Sequence, residues 1–265
     1  MRIIAGPCQH ESLNHSLKIA EYCLNVCKKH NIDYYFKASY DKANRTHING
    51  KRGQGIFKTM HDFKRLKESL QGLQILTDVH KESDIDLIEK QFFDCVDVYQ
   101  IPAFLCRQTD LICRACETNK IVNIKKGQFL APWDVKGILS KTKNIKDDKE
   151  IWLTERGTSF GYNTLVVDFT GLNYMLENLP CEVFFDATHS VQQPGGNGES
   201  SGGNRQFVPG LTRAASALGV QNYFMEVHDD PDNAPSDGPN MLNLKSFDSV
   251  VENIVKYNFI RNNAS

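Results

Sequence analysis

Short apolar runs alternate with longer amphipathic stretches along the whole chain. The runs are strand-sized and rich in β-branched and aromatic residues, whereas the stretches between them repeat their apolar positions at helical spacing. This pattern predicts strands at residues 2–6, 33–39, 73–79, 96–102, 121–126, 150–156, 182–188 and 221–227. The predicted helical stretches include residues 61–71, 213–219 and 246–258, and the last of these follows the final strand.

Eight strand–helix repeats in 265 residues predict an α/β fold, a (β/α)8 barrel that forms one catalytic domain over residues 1–265. A doubly wound open sheet is the main alternative, but it usually has fewer repeats and a G-x-G-x-x-G turn after its first strand. The first turn here reads GPCQHES and lacks that glycine pattern. The low-complexity stretch 192–206 follows the seventh strand, so we expect a mobile loop over the active face and not a domain boundary.

Composition narrows the classes of partner. The chain is 40% hydrophobic and 24% charged with a formal charge of −1, which gives no basic field for nucleic acid or a membrane surface. The apolar runs are too short to span a bilayer, and residues 1–8 lack the apolar core of a signal peptide, so we expect a cytoplasmic protein. The eight cysteines, including the CRAC motif at 113–116, are then expected to be reduced thiols.

Charged residues follow the predicted strands at the ends where barrel enzymes place their chemistry. Lys37, Lys42, Lys125 and Arg156 would converge on one face of the barrel. Any one of them alone would be an ordinary surface residue. Four cations in one place repel each other unless a multiply charged anion neutralises them, so the pattern indicates a phosphorylated, carboxylated small molecule as the ligand.

A second group of strand-end residues has metal-ligand chemistry. Cys8 follows the first strand, His189 the seventh and Glu226 the eighth, and Asp237 lies in the loop after the eighth. Barrel closure makes these strands neighbours, and mixed sulfur, nitrogen and oxygen donors suit a divalent transition ion better than Mg²⁺. From these residues alone, a buried Cys8 thiol beside a hydrogen-bonded His189 is an equally good interpretation.

Seven longer motifs are spread over nearly the whole chain: IAGPC, FKASYDKANR, QIPAFLCRQTD, VNIKKGQFLAPWD, LTERGTSFGYNTLVVDF, FDATHSVQQPGG and DNAPSDGPNML. In these motifs the chain resembles the 3-deoxy-D-manno-octulosonate 8-phosphate synthases. The resemblance implies condensation of phosphoenolpyruvate with D-arabinose 5-phosphate and water, with release of phosphate, for lipopolysaccharide synthesis. It also implies a (β/α)8 barrel and a homotetramer.

The resemblance also assigns expected roles to individual residues. It places Lys37, Ser39, Lys42, Lys125, Gln128 and Arg156 at phosphoenolpyruvate, and Asn44, Arg45 and Thr46 at arabinose 5-phosphate. Arg107 matches an arginine that reaches the sugar phosphate in a neighbouring subunit's site. We expect the catalytic positions to be Lys42, Asp78, His80, Lys125 and His189.

The residue after Gly-Pro divides this family into two classes. One class has cysteine there and needs a divalent metal, and the other has asparagine and needs none. Cys8, with His189, Glu226 and Asp237 at the partner positions, therefore implies the metal-dependent class, with Zn²⁺, Fe²⁺ or Mn²⁺ as the ion.

Three other functions are compatible with parts of the same residue pattern. The related synthase that uses erythrose 4-phosphate shares the barrel and the cysteine, but typically has a KPRTSP-like stretch where this chain has KANRTH at 42–47. A Schiff-base aldolase would use Lys125 as its nucleophile. A non-catalytic barrel that binds metal or phosphate would need no complete set of strand-end charges.

Overall fold

The computed structural model describes residues 1–44, 47–196 and 202–263. Its eight long strands are β1 (Arg2–Gln9), β2 (Asp33–Ser39), β3 (Gln74–Asp78), β4 (Val98–Ile101), β5 (Ile121–Lys125), β6 (Ile151–Glu155), β7 (Glu182–Asp186) and β8 (Asn222–His228). Each is followed by a helix: α1 (Leu13–Lys29), α2 (Ile56–Ser69), α3 (Glu82–Gln91), α4 (Thr109–Cys116), α5 (Val135–Thr142), α6 (Phe169–Asn178), α7 (Val208–Leu218) and α8 (Leu244–Asn262). The alternation is the one that the apolar pattern predicts.

The eight strands close into a parallel barrel. Each pairs with the next in chain order, and β1 also pairs with β8 from Arg2 opposite Asn222 to Gly6 opposite Glu226. The short strand Leu242–Asn243 extends the sheet beside the end of β8. The chain therefore folds as a (β/α)8 barrel, in which all strands present their carboxyl ends at one face.

Two apolar layers stabilise this barrel. The larger layer lies between the strands and the surrounding helices and consists mostly of fully buried aliphatic and aromatic side chains. A smaller cluster fills the inside of the barrel: Ile4, Leu76, Val98, Trp152, Phe184 and Phe224. The interior is packed by side chains, so a ligand of the barrel would bind at the face above this layer and not inside it.

Strand β1 differs from the sequence prediction, which ends it at Gly6. The strand continues to Gln9 through a bulge, because Gly6 and Pro7, between Ala5 and Cys8, face a single residue of β2, Lys37. Pro7 has no N–H to donate to the ladder, and a bulge is a place where a strand tolerates proline. Gly6 passes so close to β2 that an added Cβ would lie 1.9 Å from the carbonyl oxygen of Lys37.

His10, just beyond β1, joins the barrel to two helices. Its ring lies 2.9 Å from the hydroxyl of Ser16 in α1 and 2.9 Å from a carboxylate oxygen of Asp62 in α2. The side chain is fully buried. Its contacts are with these helices, so we assign it to the packing of α1 and α2 against β1.

The remaining boundaries agree with the sequence prediction to within a few residues. The predicted loop 192–206 begins and ends as an antiparallel ribbon of Gln192–Gln193 with Gly202–Gly203, and its residues 197–201 lie outside the described residues. All eight cysteines are free, including Cys113 and Cys116 of the CRAC motif, as expected for reduced thiols. Within the described ranges, the structure contains no helix with the length and hydropathy needed to cross a bilayer.

Candidate active site

A cavity of about 720 Å³ opens at the carboxyl ends of the strands. Its walls carry polar and charged side chains from most of the barrel. They include Lys37, Lys42, Asn44, Asp78, His80, Gln100, Lys125, Gln128, Arg156, Asp186, His189, Gln192 and Asp237. A second cavity of similar volume lies between residues 164–167 and α7, but its lining is mostly apolar. The charged strand ends therefore identify the first cavity as the candidate site.

Three of the four predicted metal ligands form a compact group. One donor atom each from Cys8, His189 and Asp237 lies within 4.8 Å of the other two. The Cys8 thiol donates to Asp237 Oδ2 at 3.2 Å, and His189 Nε2 is 3.7 Å from the same oxygen. These separations fit ligands arranged around one ion, because donors about 2.0–2.3 Å from a metal lie roughly 3–4 Å apart.

Glu226, the fourth predicted ligand, is completely buried at the edge of this group. Its Oε1 is 3.0 Å from Lys37 Nζ and 3.8 Å from His189 Nε2, while its Oε2 has no hydrogen-bond partner in the described structure. An unpartnered buried carboxylate oxygen is costly. A divalent cation held by Cys8, His189, Glu226 and Asp237 would satisfy it, so the residues present fit the metal.

The backbone at two of these residues is in the left-handed region. Cys8 has φ of 64° and Asp237 has φ of 53°. Aspartate tolerates this conformation, but it is unfavourable for cysteine, and residues held in such regions cost about 1–3 kcal/mol each. Cys8 lies at the bulge in β1, and its side chain contacts Ser236 and Asp237 in the loop after β8.

Asp186 holds the two halves of the site together, a role that the sequence analysis did not assign. Its Oδ2 accepts hydrogen bonds from Lys125 Nζ at 2.6 Å and from His189 Nδ1 at 2.8 Å. Burial opposes its ionisation, but the charges of His189 and Lys125 outweigh that effect and hold the pKa of Asp186 well below its usual range. The D-x-x-H spacing in DATHS was the available signal, because it places a carboxylate beside the imidazole predicted to be a metal ligand.

The Asp186 carboxylate makes the largely buried His189 a stronger base than an ordinary imidazole. Burial lowers the pKa of His189, but the Asp186 carboxylate and further hydrogen bonds raise it to about 10 overall. The same imidazolium and its hydrogen bond more than offset the effect of burial on Asp237, whose pKa is well below its ordinary value. The pocket therefore holds ionised carboxylates that attract a cation.

The predicted cations converge on the cavity, but carboxylates already face two of them. Lys37 pairs with Glu226, and Lys125 pairs with Asp186 and lies 3.1 Å above the ring of Phe224. The premise that only an anionic ligand could offset their repulsion is therefore too strong. Burial is the largest effect on Lys125 and lowers its pKa to about 8, whereas carboxylates outweigh burial at Lys37 and raise its pKa.

Arg156 and Gln128 retain unused hydrogen-bonding capacity. Both are buried, and the Arg156 Nε and the Gln128 Oε1 have no hydrogen-bond partner among the described residues. Arg156 Nη2 donates to Gln192 Oε1 at 2.7 Å, and Gln192 Nε2 donates in turn to Asp237 at 2.7 Å. Gln192, which the sequence analysis placed only in a loop, thus connects the cationic end of the cavity to the metal group.

Asp78 and His80 form an ion pair on the cavity wall. His80 Nε2 is 3.0 Å from Asp78 Oδ2, and the hydroxyl of Ser39 donates to the other carboxylate oxygen. Burial acts against both charges, but their mutual attraction raises the pKa of His80 and lowers that of Asp78. Ser39 reaches the cavity through Asp78, because it is fully buried and does not line the wall itself.

The remaining predicted binding residues are placed less centrally. Lys42 and Asn44 line the cavity mouth, whereas Arg45 and Thr46 lie outside the described residues. Arg107 is exposed on the surface and is not among the residues that line the cavity of its own chain.

Comparisons with known proteins agree with this architecture. A family model described as the DAHP synthetase I family matches residues 1–259. A protein of Caulobacter vibrioides (strain NA1000 / CB15N) is 51% identical over 257 residues, which cover 97% of this chain and 87% of that protein. A Chelativorans sp. (strain BNC1) protein is 50% identical over 260 residues (98% and 92%), and one from Rickettsia bellii (strain OSU 85-389) is 52% identical over 258 residues (97% and 92%).

All three relatives carry the name 2-dehydro-3-deoxyphosphooctonate aldolase, another name for the synthases that the sequence motifs resemble. The recognition made from the motifs is therefore confirmed. Because the family model covers almost the whole chain and relatives at about half identity cover nearly all of it, the chain belongs to the DAHP synthetase I family.

Proposed function

We propose that this protein condenses phosphoenolpyruvate with D-arabinose 5-phosphate and water to give 3-deoxy-D-manno-octulosonate 8-phosphate and phosphate. The observation that carries the proposal is the strand-end cavity. Its wall contains the cations Lys37, Lys125 and Arg156 together with buried polar atoms that have no hydrogen-bond partner among the described residues. The names of its relatives support the same reaction.

The reaction joins C3 of phosphoenolpyruvate to the aldehyde carbon of the sugar. Water then adds at C2 to give a tetrahedral intermediate. The bond between C2 and the phosphate oxygen breaks, and phosphate is released. Lys37, Lys125 and Arg156 are suited to hold the carboxylate and phosphate of phosphoenolpyruvate, where they stabilise the negative charge that develops. Gln128 has a free acceptor in the same wall.

We propose a divalent ion, Zn²⁺, Fe²⁺ or Mn²⁺, on Cys8, His189, Glu226 and Asp237. When bound, such an ion supplies Lewis-acid chemistry at an aldehyde oxygen or a water. Asp186 orients the imidazole of His189 from behind, and Gln192 fixes the Asp237 carboxylate. The ion pair of Asp78 and His80 lies on the part of the cavity wall that we assign to arabinose 5-phosphate. Lys42 and Asn44 line the cavity mouth beside it.

Release of phosphate from phosphoenolpyruvate tests the reaction. We expect release with arabinose 5-phosphate, little with erythrose 4-phosphate, and none after metal removal by a chelator, with recovery on adding back the ion. Phosphate release that prefers erythrose 4-phosphate, or none with either sugar in the metal-loaded enzyme, would refute the assignment. Full activity in protein verified to be metal-free would refute the metal-dependent class alone, and Cys8→Asn is the matched variant for that question.

We further propose a homotetramer in which Arg107 serves the sugar phosphate in a neighbouring subunit. Phe104, 57% accessible, lines the cavity three residues before Arg107, so a partner copy that packs against it would lie beside the site. Co-expression of Arg107→Ala and Lys125→Met chains should restore activity that neither variant has alone, because a mixed assembly contains intact sites. No complementation in verified mixed assemblies would place Arg107 in its own chain's site.

We assign the whole chain, residues 1–265, to a single catalytic domain that acts in the cytoplasm. Eight free cysteines support a reducing compartment. Alkylation of the thiols in freshly lysed cells, followed by mass measurement, should find all eight modified after denaturation without prior reduction.

A further inference from the structure

A second group of metal-ligating side chains lies outside the cavity, where the loop after β1 meets the end of β8. Glu11 belongs to that loop, His15 to the first turn of α1, and His228 is the last residue of β8. One donor atom from each lies within 4.8 Å of the other two. None of the three lines the active-site cavity.

His15 leaves a ring nitrogen without a partner at this place. Its Nε2 is 3.0 Å from Asp229 Oδ1, and the other oxygen of Asp229 accepts from Lys18 at 2.6 Å. Since a carboxylate accepts hydrogen bonds, Nε2 carries the ring proton. The Nδ1 lone pair is then buried without a hydrogen-bond partner and faces Glu11 Oε1 at 3.6 Å.

Two acceptors that face each other in this way lack a cation between them. Protonation of Nδ1 does not repair the contact well, because 3.6 Å exceeds the ordinary length of an N–H···O hydrogen bond. A metal ion bonded to both atoms would satisfy Nδ1 and, at Glu11, would replace the hydrogen bond that this oxygen shares with His228 Nε2.

His228 supplies the third donor. Its Nε2 is 2.8 Å from the same oxygen of Glu11, and its Nδ1 accepts the backbone N–H of Asp230 at 2.9 Å. A metal at Nε2 requires the ring proton to move to Nδ1, which then gives up the hydrogen bond from the Asp230 N–H and donates toward Asp229 Oδ1, 3.3 Å away. Asp229 would then orient both imidazoles, as carboxylates behind metal-bound histidines commonly do.

We propose that Glu11, His15 and His228 form a second metal site that takes Zn²⁺ or a similar first-row divalent ion. Two imidazole nitrogens and one carboxylate oxygen, completed by water, are a donor set that zinc adopts. The ion would join the loop after β1 to the end of β8, from which the chain continues to Asp237. The site contains no sulfur donor, which distinguishes it from the group around Cys8.

Cobalt titration of the metal-free protein tests the proposal, because a thiolate ligand adds a charge-transfer band that a nitrogen–oxygen site lacks. We expect two equivalents bound by the wild type, and one by His15→Gln with the thiolate band retained. Cys8→Ala should bind one equivalent without the band. His61→Gln is the matched control, since His61 is exposed, lies against the ring of Phe92 and belongs to none of the candidate metal-ligand groups, and should leave both equivalents in place.

Binding that is unchanged in His15→Gln would overturn the second site. Loss of one equivalent in His15→Gln but none in Cys8→Ala would retain it while removing the metal from the proposed function. A thermal measurement protects against misfolding of a variant. Zn²⁺ should raise the Tm of Cys8→Ala, and the shift should disappear when His15→Gln or Glu11→Gln is added; a shift that persists in both double variants refutes the proposal.

Discussion

At the scale of single residues, Asp186 connects the two chemistries of the cavity. Its carboxylate accepts hydrogen bonds from both Lys125 and His189. The lysine belongs to the wall that we assign to phosphoenolpyruvate, and the histidine belongs to the metal group. One side chain thus fixes the relative positions of Lys125 and His189.

Replacing this carboxylate should weaken metal binding. Asp186→Asn removes the negative charge behind His189, and loss of such a partner typically lowers metal affinity by about 10–100-fold. Competition with a chromophoric chelator measures the change. Asp168→Asn is the matched control, because asparagine can keep the N-cap that Asp168 provides for α6; equal losses in the two variants would contradict the assigned role.

The lowered pKa of Lys125, about 8, predicts how substrate binding changes with pH. Below pH 8 the ammonium is charged and available to phosphoenolpyruvate. As pH rises through 8 it loses its proton, so the Kd for phosphoenolpyruvate should rise, by about tenfold per unit well above the pKa if only the charged form binds. Calorimetric titration at several pH values measures this.

Lys125→Arg supplies the control for the pH profile. The guanidinium stays protonated throughout the range, so the variant's Kd should be nearly flat between pH 7 and pH 10, whatever its absolute affinity. An equally steep rise in this variant would assign the titration to another group.

At the scale of elements, the bulge in β1 positions Cys8 among the predicted metal ligands His189, Glu226 and Asp237. A regular strand would alternate its side chains strictly, and β1 would then pass β2 without the left-handed turn at Cys8. Gly6 permits the close approach of the two strands at this point. Pairing of β1 with its neighbours in the sheet thus fixes the backbone conformation that positions the Cys8 side chain.

Gly6→Ala should be strongly destabilising. The new Cβ would lie 1.9 Å from the Lys37 carbonyl oxygen, so β1 and β2 must separate, and we expect a loss of several kcal/mol, in the range of severe overpacking and strain. Denaturant unfolding measures it. Gly137→Ala in α5 is the matched control: nothing lies within 4 Å of its added Cβ, and a helical alanine should raise the free energy of unfolding by up to about 1 kcal/mol.

At the scale of the whole molecule, the apolar layer inside the barrel is the floor of the active site. Phe224 belongs to that layer and contacts Lys125 from below. Trp152 stacks against Phe184 in the same layer, with ring centroids 4.8 Å apart. Packing inside the barrel therefore determines how far the charged side chains at the strand ends lie above the apolar layer.

The two tryptophans of the chain allow a direct test of this layer. Trp152 is 1% exposed, whereas Trp133 is 60% exposed. Trp152→Ala should cost about 3–5 kcal/mol through the cavity that it leaves, and Trp133→Ala should cost far less. Urea unfolding followed by circular dichroism compares them, and similar costs would contradict a structural role for the interior layer.

The sequence by itself determined the barrel, its strand order and most of the charged residues at the cavity. Apolar periodicity predicts the elements because burial on one face requires it, and parallel strands in a barrel must end at one rim. Lys37, Lys125 and Arg156 could be assigned to the cavity for that reason.

Only the tertiary structure decided which side chains act together. The extension of β1 beyond Gly6 depends on pairing with β2, and the ion pair of Lys37 with Glu226 depends on closure of β1 against β8. The pairing of Asp186 with Lys125 and the meeting of Glu11, His15 and His228 join residues far apart in the chain. Such contacts have no local signal, because they arise from the distance between strands and not from the period of side chains along them.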